Sequence, residues 1–513
     1  MRRPVSLIAL LLALLVVLLV GAWLAGRTQP LVRNSLVYAR AAWNVIDADY
    51  DPRPIVADSR RSYDKPIGFA WLAAPLVRRF GAHDGLRLAS LAGTLAIVLA
   101  SGWFAARNLR RDGSDPSTGD ELAAVAWLSG FGPLVAYQGW SAHPDGWFAA
   151  LFVVAIVLTQ QLAYGRAASV PWRAALLAVT IVAAFLLKNY ALILVPCCAL
   201  HLLLAVPAMR RAATTGERRL GWRLAWSGAA LLLAGGFVLA ARFDHNPLSR
   251  LEGEGGGADQ YAFAEVGSIG WKTLTQAGLA LAVQFHLLLP AAAVAWLLAR
   301  RRGATRDGGR IGVSPWWTFG VPCVVGLLPF PTAFYNMRYF LPLFPLAATS
   351  IVIALRGARP SVRRALLVAF FVVNAATLLL WNVPAVFDRM RPLLPDTKVT
   401  WLAGGPPLAL LDNLRMEQHR DQAAWLDAIR RELEPGATLY LLDVGYYRDA
   451  QHGVFERDGF LRADLAIRYA SRRNFRPAEP RFHVWSLPEP DLTLLQSLGT
   501  VTPIGPKLFR IER

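Results

Sequence analysis

The chain has 513 residues, of which 55% are apolar, and carries a formal net charge of +19. Its mean hydropathy of +0.36 excludes an ordinary soluble domain, because the apolar residues come in blocks long enough to cross a bilayer. The charge does not indicate a nucleic-acid-binding protein, since the arginines lie in short loops between the apolar blocks, as in cytoplasmic loops of membrane proteins.

The N-terminal apolar run, residues 5–25, follows Arg2 and Arg3. A cleaved signal peptide has an apolar core of only about 7–15 residues. The longer run therefore predicts an uncleaved first span whose N-terminus is cytoplasmic.

Residues 31–80 form a long loop that is too polar to enter the bilayer, and the topology places this loop outside the cytoplasm. Loops longer than about 15 residues are usually functional or disordered. The aromatic and aliphatic content of this loop argues against disorder. Its apolar stretch 66–76 is too short to span and predicts a helix in the membrane interface.

Ten further apolar runs complete a polytopic, mainly α fold of about 11 transmembrane helices. The basic residues concentrate in the loops that this topology assigns to the cytoplasm. The predicted spans cover residues 86–106, 121–137, 147–163, 174–187, 191–207, 224–241, 273–299, 316–334, 339–355 and 365–383.

The composition changes at about residue 384, where polar and apolar residues become mixed. A helical pattern covers residues 422–433 and a strand pattern covers 437–444. We therefore predict a transmembrane domain at 1–383 and a small α/β domain at 384–513. The odd number of spans places this second domain in the periplasm.

The three cysteines, Cys197, Cys198 and Cys323, lie within apolar runs. Adjacent cysteines rarely pair, and the spacing is not that of a metal site. They are therefore predicted to be core or lipid-facing residues.

Several ionisable residues stand at the predicted outer ends of spans. Such residues are costly at membrane depth and are functional candidates by default. Each also has a structural explanation. Asp64 with Lys65 would be a solvated pair, Asp145 a helix N-cap, and Lys188 a lysine that reaches the interface. Arg338 would be a topological anchor and His143 an interface histidine.

The predicted topology brings all these residues to one membrane face. Arginine and lysine bind phosphate oxygens, and a carboxylate can accept the proton of an attacking hydroxyl. The same cations would stabilise a phosphate as it leaves. The sequence therefore predicts a site that binds a lipid phosphate and activates a hydroxyl group.

The same residues resemble motifs of the glycosyltransferase C superfamily, in the branch of protein O-mannosyltransferases and aminoarabinose transferases. The resemblance covers residues 1–383 and rests on the order of five short motifs. They are Tyr38-Ala39, Tyr63-Asp64-Lys65-Pro66, Asp145 at the head of a span, Lys188 with Tyr190 between two apolar helices, and Arg338-Tyr339 before a proline-rich span.

This resemblance implies a hexosyl- or pentosyltransferase of the bacterial inner membrane. It would use a polyprenyl-phosphate sugar, invert the anomeric carbon, and act on a lipid, glycan or protein acceptor of the envelope. Together with the residue pattern, this resemblance predicts Asp64, Asp145, Asp47 and Asp49 as catalytic residues. The predicted substrate-binding residues are Asn34, Tyr38, Lys65, His143, Lys188, Tyr190, Arg338 and Tyr339.

The sequence departs from the family pattern at Asn34, where the family has its acid before the Tyr-Ala pair. An amide cannot act as a base. Three interpretations stay open: Asp47, Asp49 or Asp64 takes that role, the acceptor needs less activation, or the chain is inactive.

Two alternatives stay open, a transporter or flippase of lipid-linked sugars and a non-catalytic binder of such lipids. Transporters typically show repeats and helices broken at the midplane. The sequence has no evident repeat, whereas Asn34 favours the non-catalytic binder. No cofactor is predicted, and a divalent metal stays open if His143 meets an acidic neighbour.

Overall fold

The computed structural model is mainly helical with one small sheet, which confirms the predicted fold class at that level. It describes residues 7–26, 34–47, 68–109, 117–164, 167–188, 191, 193–212, 217–243, 278, 280–282, 284–301, 340–356, 358–382, 428–429, 431–442, 465–470, 475–486, 491–505 and 508–513.

Twelve long or medium helices precede the sheet in the described residues. In chain order they are α1 (Leu7–Gly26), α2 (Asn34–Asp47), α3 (Gly68–Asn108), α4 (Ser117–Gly130), α5 (Pro133–Trp140), α6 (Asp145–Tyr164), α7 (Val170–Leu187), α8 (Leu194–Ala212), α9 (Glu217–Phe243), α10 (Leu288–Arg301), α11 (Leu343–Leu355) and α12 (Pro360–Asn382).

Three helices of the described residues are long and apolar enough to cross a membrane. They are Gly68–Asn108, Asp145–Ala163 and Val170–Leu187. Shorter apolar helices occur at Leu194–Pro207, Leu288–Leu298 and Leu343–Leu355. Predicted span 316–334 lies outside the described residues, so the count of 11 stays a prediction.

The chain divides into two compact units. The first comprises Met1–Ala25, Ser90–Trp140 and Pro144–Leu414, and the second comprises Gly26–Ala89, Ser141–His143 and Arg415–Arg513. The predicted boundary at 383/384 lies outside the described residues.

The first unit is a bundle in which α6 packs against α7 and α8, α9 packs against α7 and α8, and α11 packs against α4 and α10. Its core is aromatic, with Phe104, Phe131, Trp140, Phe148 and Phe152 fully buried. The apolar runs therefore bury one side against neighbouring helices, as the core of a multispan protein requires.

Two predicted spans of this unit are interrupted, a feature that was not predicted. Within 121–137, α4 ends at Gly130 and α5 begins at Pro133, since proline has no N–H to continue the helical ladder. Within 273–299, His286 has a left-handed φ of 31° just before α10 begins.

Polar side chains bind other groups at these two breaks. Gln284 Nε2 donates a hydrogen bond to the carbonyl oxygen of Leu128 (2.9 Å), and the His286 ring pairs with the Asn374 side chain (3.2 Å). Because α4 ends at Gly130, the carbonyl oxygen of Leu128 has no backbone N–H within its helix to bind. The Gln284 side chain supplies that hydrogen bond in a buried place where bulk water cannot.

In the second unit, α2 occupies the long first loop, and the first part of α3 is the helix predicted at 66–76. Gly81, with φ 78° and ψ 165°, breaks α3 before the part predicted as a span. Only a residue without Cβ adopts such backbone angles readily. The side chains of Phe69, Ala73 and Val77 are fully buried.

The sheet also belongs to the second unit. Its strands are β1 (Thr438–Leu442), β2 (Ala466–Ala470), β3 (Arg481–Ser486), β4 (Thr500–Gly505) and β5 (Leu508–Glu512), with α13 (Leu492–Gln496) before β4. The strand order is β2-β1-β3-β5-β4, and β1 lies parallel to both β2 and β3.

Strands β3, β5 and β4 are antiparallel neighbours. Tyr440, Phe482, Val484 and Ile511 pack together in a hydrophobic cluster of the sheet. The strand predicted at 437–444 is β1. Of the helix predicted at 422–433, residues 428–429 and 431–432 are helical and Leu433 is not.

Candidate functional site

The clearest polar feature of the first unit is an ion pair between the Lys188 ammonium and the Asp145 Oδ1 atom. The two side chains are buried, with exposed fractions of 10% and 2% respectively. Either charge alone would be expensive to bury, so the pairing is what allows both to leave water.

The fold brings the two residues together from the ends of adjacent helices. Asp145 lies in the first turn of α6, and Lys188 is the residue that ends α7 with an extended backbone. The two helices pack against each other, so the start of one meets the end of the other. A carboxylate at a helix N-terminus and a cation at a C-terminus also match the helix dipoles.

This geometry argues against a purely structural role for Lys188 as a snorkelling lysine and for Asp145 as a helix N-cap. Lys188 does not extend into solvent as a snorkelling lysine would, because its ammonium binds a buried carboxylate. Asp145 does more than begin a helix, since its carboxylate is half of the ion pair. The arrangement is a charged site at the ends of two apolar helices.

Two glycines set the position of Asp145. A Cβ atom at Gly146 would lie 2.7 Å from the carbonyl carbon of Gly93, and one at Gly93 would lie 2.7 Å from the Trp147 ring. The first turn of α6 therefore rests directly on the backbone of α3. A larger residue at either position would push this turn, and Asp145 with it, away from α3.

The second unit holds a separate aromatic and polar group around Tyr38. The Tyr38 ring meets Phe69 edge to face at 5.2 Å between centroids and His143 at 6.1 Å. Tyr38 and His143 are both buried. Two residues predicted to bind substrate are thus neighbours.

The His143 ring is oriented by the backbone. Its Nδ1 lies 2.7 Å from the carbonyl oxygen of Ser141, which also accepts a hydrogen bond from Ser35 Oγ. Since a carbonyl only accepts, Nδ1 carries the proton in this hydrogen bond. Ala142, with φ 61°, forms the tight turn between these residues.

The remaining predicted residues lie partly within the described ranges. Asn34 begins α2, and Asp47 ends it with an exposed side chain. At 1.5 Å per residue the two positions are about 20 Å apart along the helix, so Asp47 cannot stand where Asn34 does. The predicted residues outside the described ranges are Asp49, Asp64, Lys65, Tyr190, Arg338 and Tyr339.

A second, largely buried ion pair in the first unit was not predicted from the sequence. Arg356 donates from Nε and Nη2 to the two carboxylate oxygens of Glu121 (2.8 and 2.6 Å), and Nη2 also binds the Leu109 carbonyl oxygen (2.8 Å). Arg363 lies 3.9 Å from the same carboxylate. An acid at the head of an apolar run was the signal that could have indicated it.

The C-terminal end of α6 is also held by cations. Arg223 Nη1 binds the carbonyl oxygens of Leu162 (2.7 Å) and Ala163 (3.2 Å), and Arg173 binds that of Gln161 (3.1 Å). The last carbonyls of a helix have no partner within it. The helix that carries Asp145 is therefore fixed at both ends.

No group of three or more histidine, cysteine, aspartate or glutamate side chains suited to a metal ion occurs in the described part of the chain.

Comparison with known proteins identifies the fold. No protein-family model matches the sequence, and no curated protein sequence matches it. Among solved structures, the crystal structure of ArnT from Cupriavidus metallidurans bound to undecaprenyl phosphate matches with a TM-score of 0.58 and 14% identity, over 99% of this chain and 98% of that one. The chain has the ArnT fold.

The apo crystal structure of ArnT from the same organism matches as well, with a TM-score of 0.54 and 14% identity over 98% of this chain and 97% of that one. ArnT is an aminoarabinose transferase with the glycosyltransferase C fold. The predicted resemblance is therefore confirmed as a likeness of fold. It extends beyond residues 1–383 to nearly the whole chain.

Proposed function

We propose that this protein is a membrane glycosyltransferase that takes a sugar from a polyprenyl-phosphate carrier. Its acceptor is a lipid, glycan or protein of the bacterial envelope, on the outer face of the inner membrane. In this proposal the N-terminus is cytoplasmic and the C-terminal domain is periplasmic. The ArnT structure with undecaprenyl phosphate supports a carrier lipid of this class.

The observation that carries the proposal is the buried Asp145–Lys188 pair. Structural ion pairs are usually cheaper to make at a surface, where neither charge loses its hydration. A pair at the ends of two apolar helices instead holds a cation in a low-dielectric setting. There it can act strongly on a phosphate.

The reaction that fits this chemistry is a direct displacement. The acceptor hydroxyl oxygen bonds to the anomeric carbon while the bond from that carbon to the phosphate oxygen breaks. The bonding electrons stay on the phosphate, which leaves as polyprenyl phosphate, and the hydroxyl proton passes to a carboxylate. We assign stabilisation of the phosphate charge to Lys188, with Lys65 and Arg338 as further phosphate ligands.

We assign Asp145 to holding Lys188 in place. The proton acceptor is then Asp64, because Asn34 has no basic group, Asp47 lies about 20 Å from it along α2, and Asp49 is only two residues beyond Asp47. Tyr38 and His143, which contact each other, would bind the substrate with Tyr190 and Tyr339. Their rings offer both apolar faces and hydrogen-bonding groups.

The test uses a deletion strain complemented with single variants, and mass spectrometry of its envelope glycolipids and glycans. We expect one glycosylated species to disappear in the deletion strain and in K188M and D64N, and to return with the wild type. E121Q is the matched control, because it also breaks a buried ion pair of the first unit. An unchanged profile for K188M and D64N at normal protein levels would contradict the proposal.

One observation favours a second candidate, a transporter of lipid-linked sugars. Two helices of the first unit are broken beside each other, at Gly130–Pro133 and at His286, with Gln284 bridging to the Leu128 carbonyl. Broken helices of this kind occur in transporters. Purified protein that forms a new glycosidic bond would exclude a transport-only role, and protein that only moves the lipid between leaflets would support one.

A further inference from the structure

The first part of α3, residues 68–80, exposes a face that the proposed reaction does not use. Trp71 and Leu72 on this face have exposed fractions of 41% and 38%. Arg78 and Arg79 are exposed beside them. Phe80, at 53%, lies on the other side of the helix, at its end before Gly81. Large apolar side chains in contact with solvent at this density indicate an interaction surface.

The opposite face of the same helix is fully buried. Phe69, Ala70, Ala73, Ala74 and Val77 all have exposed fractions of 0%. The helix is therefore fixed within its unit by mostly small residues, and its exposed residues are accessible to an external partner. Gly81 ends this part of the helix with a left-handed turn, so the exposed face is confined to residues 71–80.

The positive charge of residues 68–80 indicates an anionic partner. Residues 68–80 contain two arginines and no acidic residue. Among the described residues no carboxylate forms an ion pair with Arg78 or Arg79. Next along the chain, Asp84 pairs with His83 (3.1 Å) instead.

Tryptophan and leucine beside arginine form the residue set of helices that lie in a membrane interface. Aromatic rings sit at the level of the lipid headgroups, and arginine binds headgroup phosphates with a planar, forked donor group. A bilayer surface accommodates both kinds of side chain, since its acyl boundary takes the apolar groups and its headgroups bind the arginines.

We propose that residues 71–80 form a binding surface for anionic phospholipid headgroups, with Arg78 and Arg79 as the phosphate ligands and Trp71 and Leu72 as the anchors beside them. The surface prefers an anionic lipid such as phosphatidylglycerol to zwitterionic phosphatidylcholine. Both lipids have a phosphate, and only the anionic one has no compensating ammonium.

The test is native mass spectrometry of the delipidated full chain, titrated with phosphatidylglycerol or phosphatidylcholine of the same acyl chains. We expect R78Q/R79Q to weaken the tightest phosphatidylglycerol binding about thirtyfold, because each basic residue near a membrane contributes about 1 kcal/mol and about 1.4 kcal/mol is tenfold. Each single variant should weaken it about fivefold, and R78K/R79K should retain most of it.

A matched control removes two exposed arginines of the α/β domain, Arg431 and Arg476, so that R431Q/R476Q changes the net charge equally. It should leave phosphatidylglycerol binding unchanged. Phosphatidylcholine binding should change less than phosphatidylglycerol binding in R78Q/R79Q, and equal thermal unfolding shows that the variants are folded. Wild-type affinity in R78Q/R79Q, or an equal loss in the control, would overturn the proposal.

Discussion

Lys188 ends α7 with its ammonium bound to Asp145, the residue that begins α6. The two residues are separated by 43 positions in the sequence and by one hydrogen bond in the fold. Each sits where the helix dipole favours its charge. This pair connects the membrane fold with the proposed chemistry.

The first prediction concerns the stability of the pair. Removing one partner leaves an uncompensated buried charge, so D145N and K188M should each lower the free energy of unfolding by about 3–5 kcal/mol. The double variant D145N/K188M buries no charge and should be more stable than either single variant. Thermal unfolding of the purified protein in detergent measures this, and a double variant less stable than both singles would contradict it.

The second prediction concerns the contact below Asp145. In G146A the new Cβ would lie 2.7 Å from the backbone of Gly93, so α6 must shift. We expect a loss of about 1–3 kcal/mol in the free energy of unfolding, as for other overpacked sites, together with reduced sugar transfer. Chemical denaturation in detergent and the transfer assay measure the two effects.

Gly102 provides the matched control for G146A, since it lies in α3 and, in the described part of the chain, no atom outside its own helix segment lies within 4 Å of the place that an alanine Cβ would take. G102A should be neutral or stabilise by up to about 1 kcal/mol, because alanine favours a helix over glycine. If G146A and G102A had the same effect on the free energy of unfolding, the close approach of α6 to α3 would be contradicted.

The third prediction concerns the Glu121–Arg356 pair. Arg356 makes two hydrogen bonds to Glu121, a geometry that lysine cannot reproduce. R356M should therefore destabilise the protein by about 3 kcal/mol, and R356K by less, because lysine keeps the charge but loses the two-pronged hydrogen bonding. Since the pair is not assigned to the reaction, folded R356K should keep its sugar transfer. Equal stability of R356K and the wild type would contradict this account.

The fourth prediction concerns His483 in β3. Burial lowers the pKa of His483 below its ordinary value of 6.5, and the neighbouring cations Arg481 and Arg510 act in the same direction. A backbone hydrogen bond with Thr438 and the charge of Glu434 oppose the shift without cancelling it. The ring is therefore neutral in the folded domain at pH values where the unfolded chain already binds a proton.

The sign follows from this difference. Stability of the domain should be complete above about pH 6.5 and should fall as the pH drops from there toward the folded pKa, by at most about 1.4 kcal/mol per pH unit. Hydrogen exchange of β3 peptides in the full chain, between about pH 7.5 and pH 5, measures the effect. The H483Q variant should lose the fall in stability below about pH 6.5 that protonation of His483 causes. If the stability of H483Q fell with pH as that of the wild type does, other groups would be responsible for the fall.

Much of the helical architecture could be predicted from apolar run length alone. The first run, predicted at 5–25, is α1 at Leu7–Gly26, and the run predicted at 147–163 lies within α6. Lys188 was recognisable because a single lysine interrupts two apolar runs, and Asp145 because an acid follows proline at the head of a span.

The sequence carried a signal for one of the two helix breaks, because glycine and proline at Gly130 and Pro133 interrupt helices. His286 looks ordinary within its apolar run, and only the backbone path reveals the second break and the Gln284 bond beside it. The Glu121–Arg356 pair joins residues 235 positions apart, a separation that no local pattern encodes. Local periodicity identifies helices, whereas such long-range contacts depend on packing.

The most direct test of the central claim is the affinity of purified K188M for undecaprenyl phosphate, compared with the wild type and with E121Q at equal folded fractions. The account predicts that K188M weakens binding at least about tenfold, because a charged hydrogen bond to the phosphate is lost, whereas E121Q binds like the wild type. Unchanged binding by folded K188M would show that the Asp145–Lys188 pair is not part of the lipid-phosphate site.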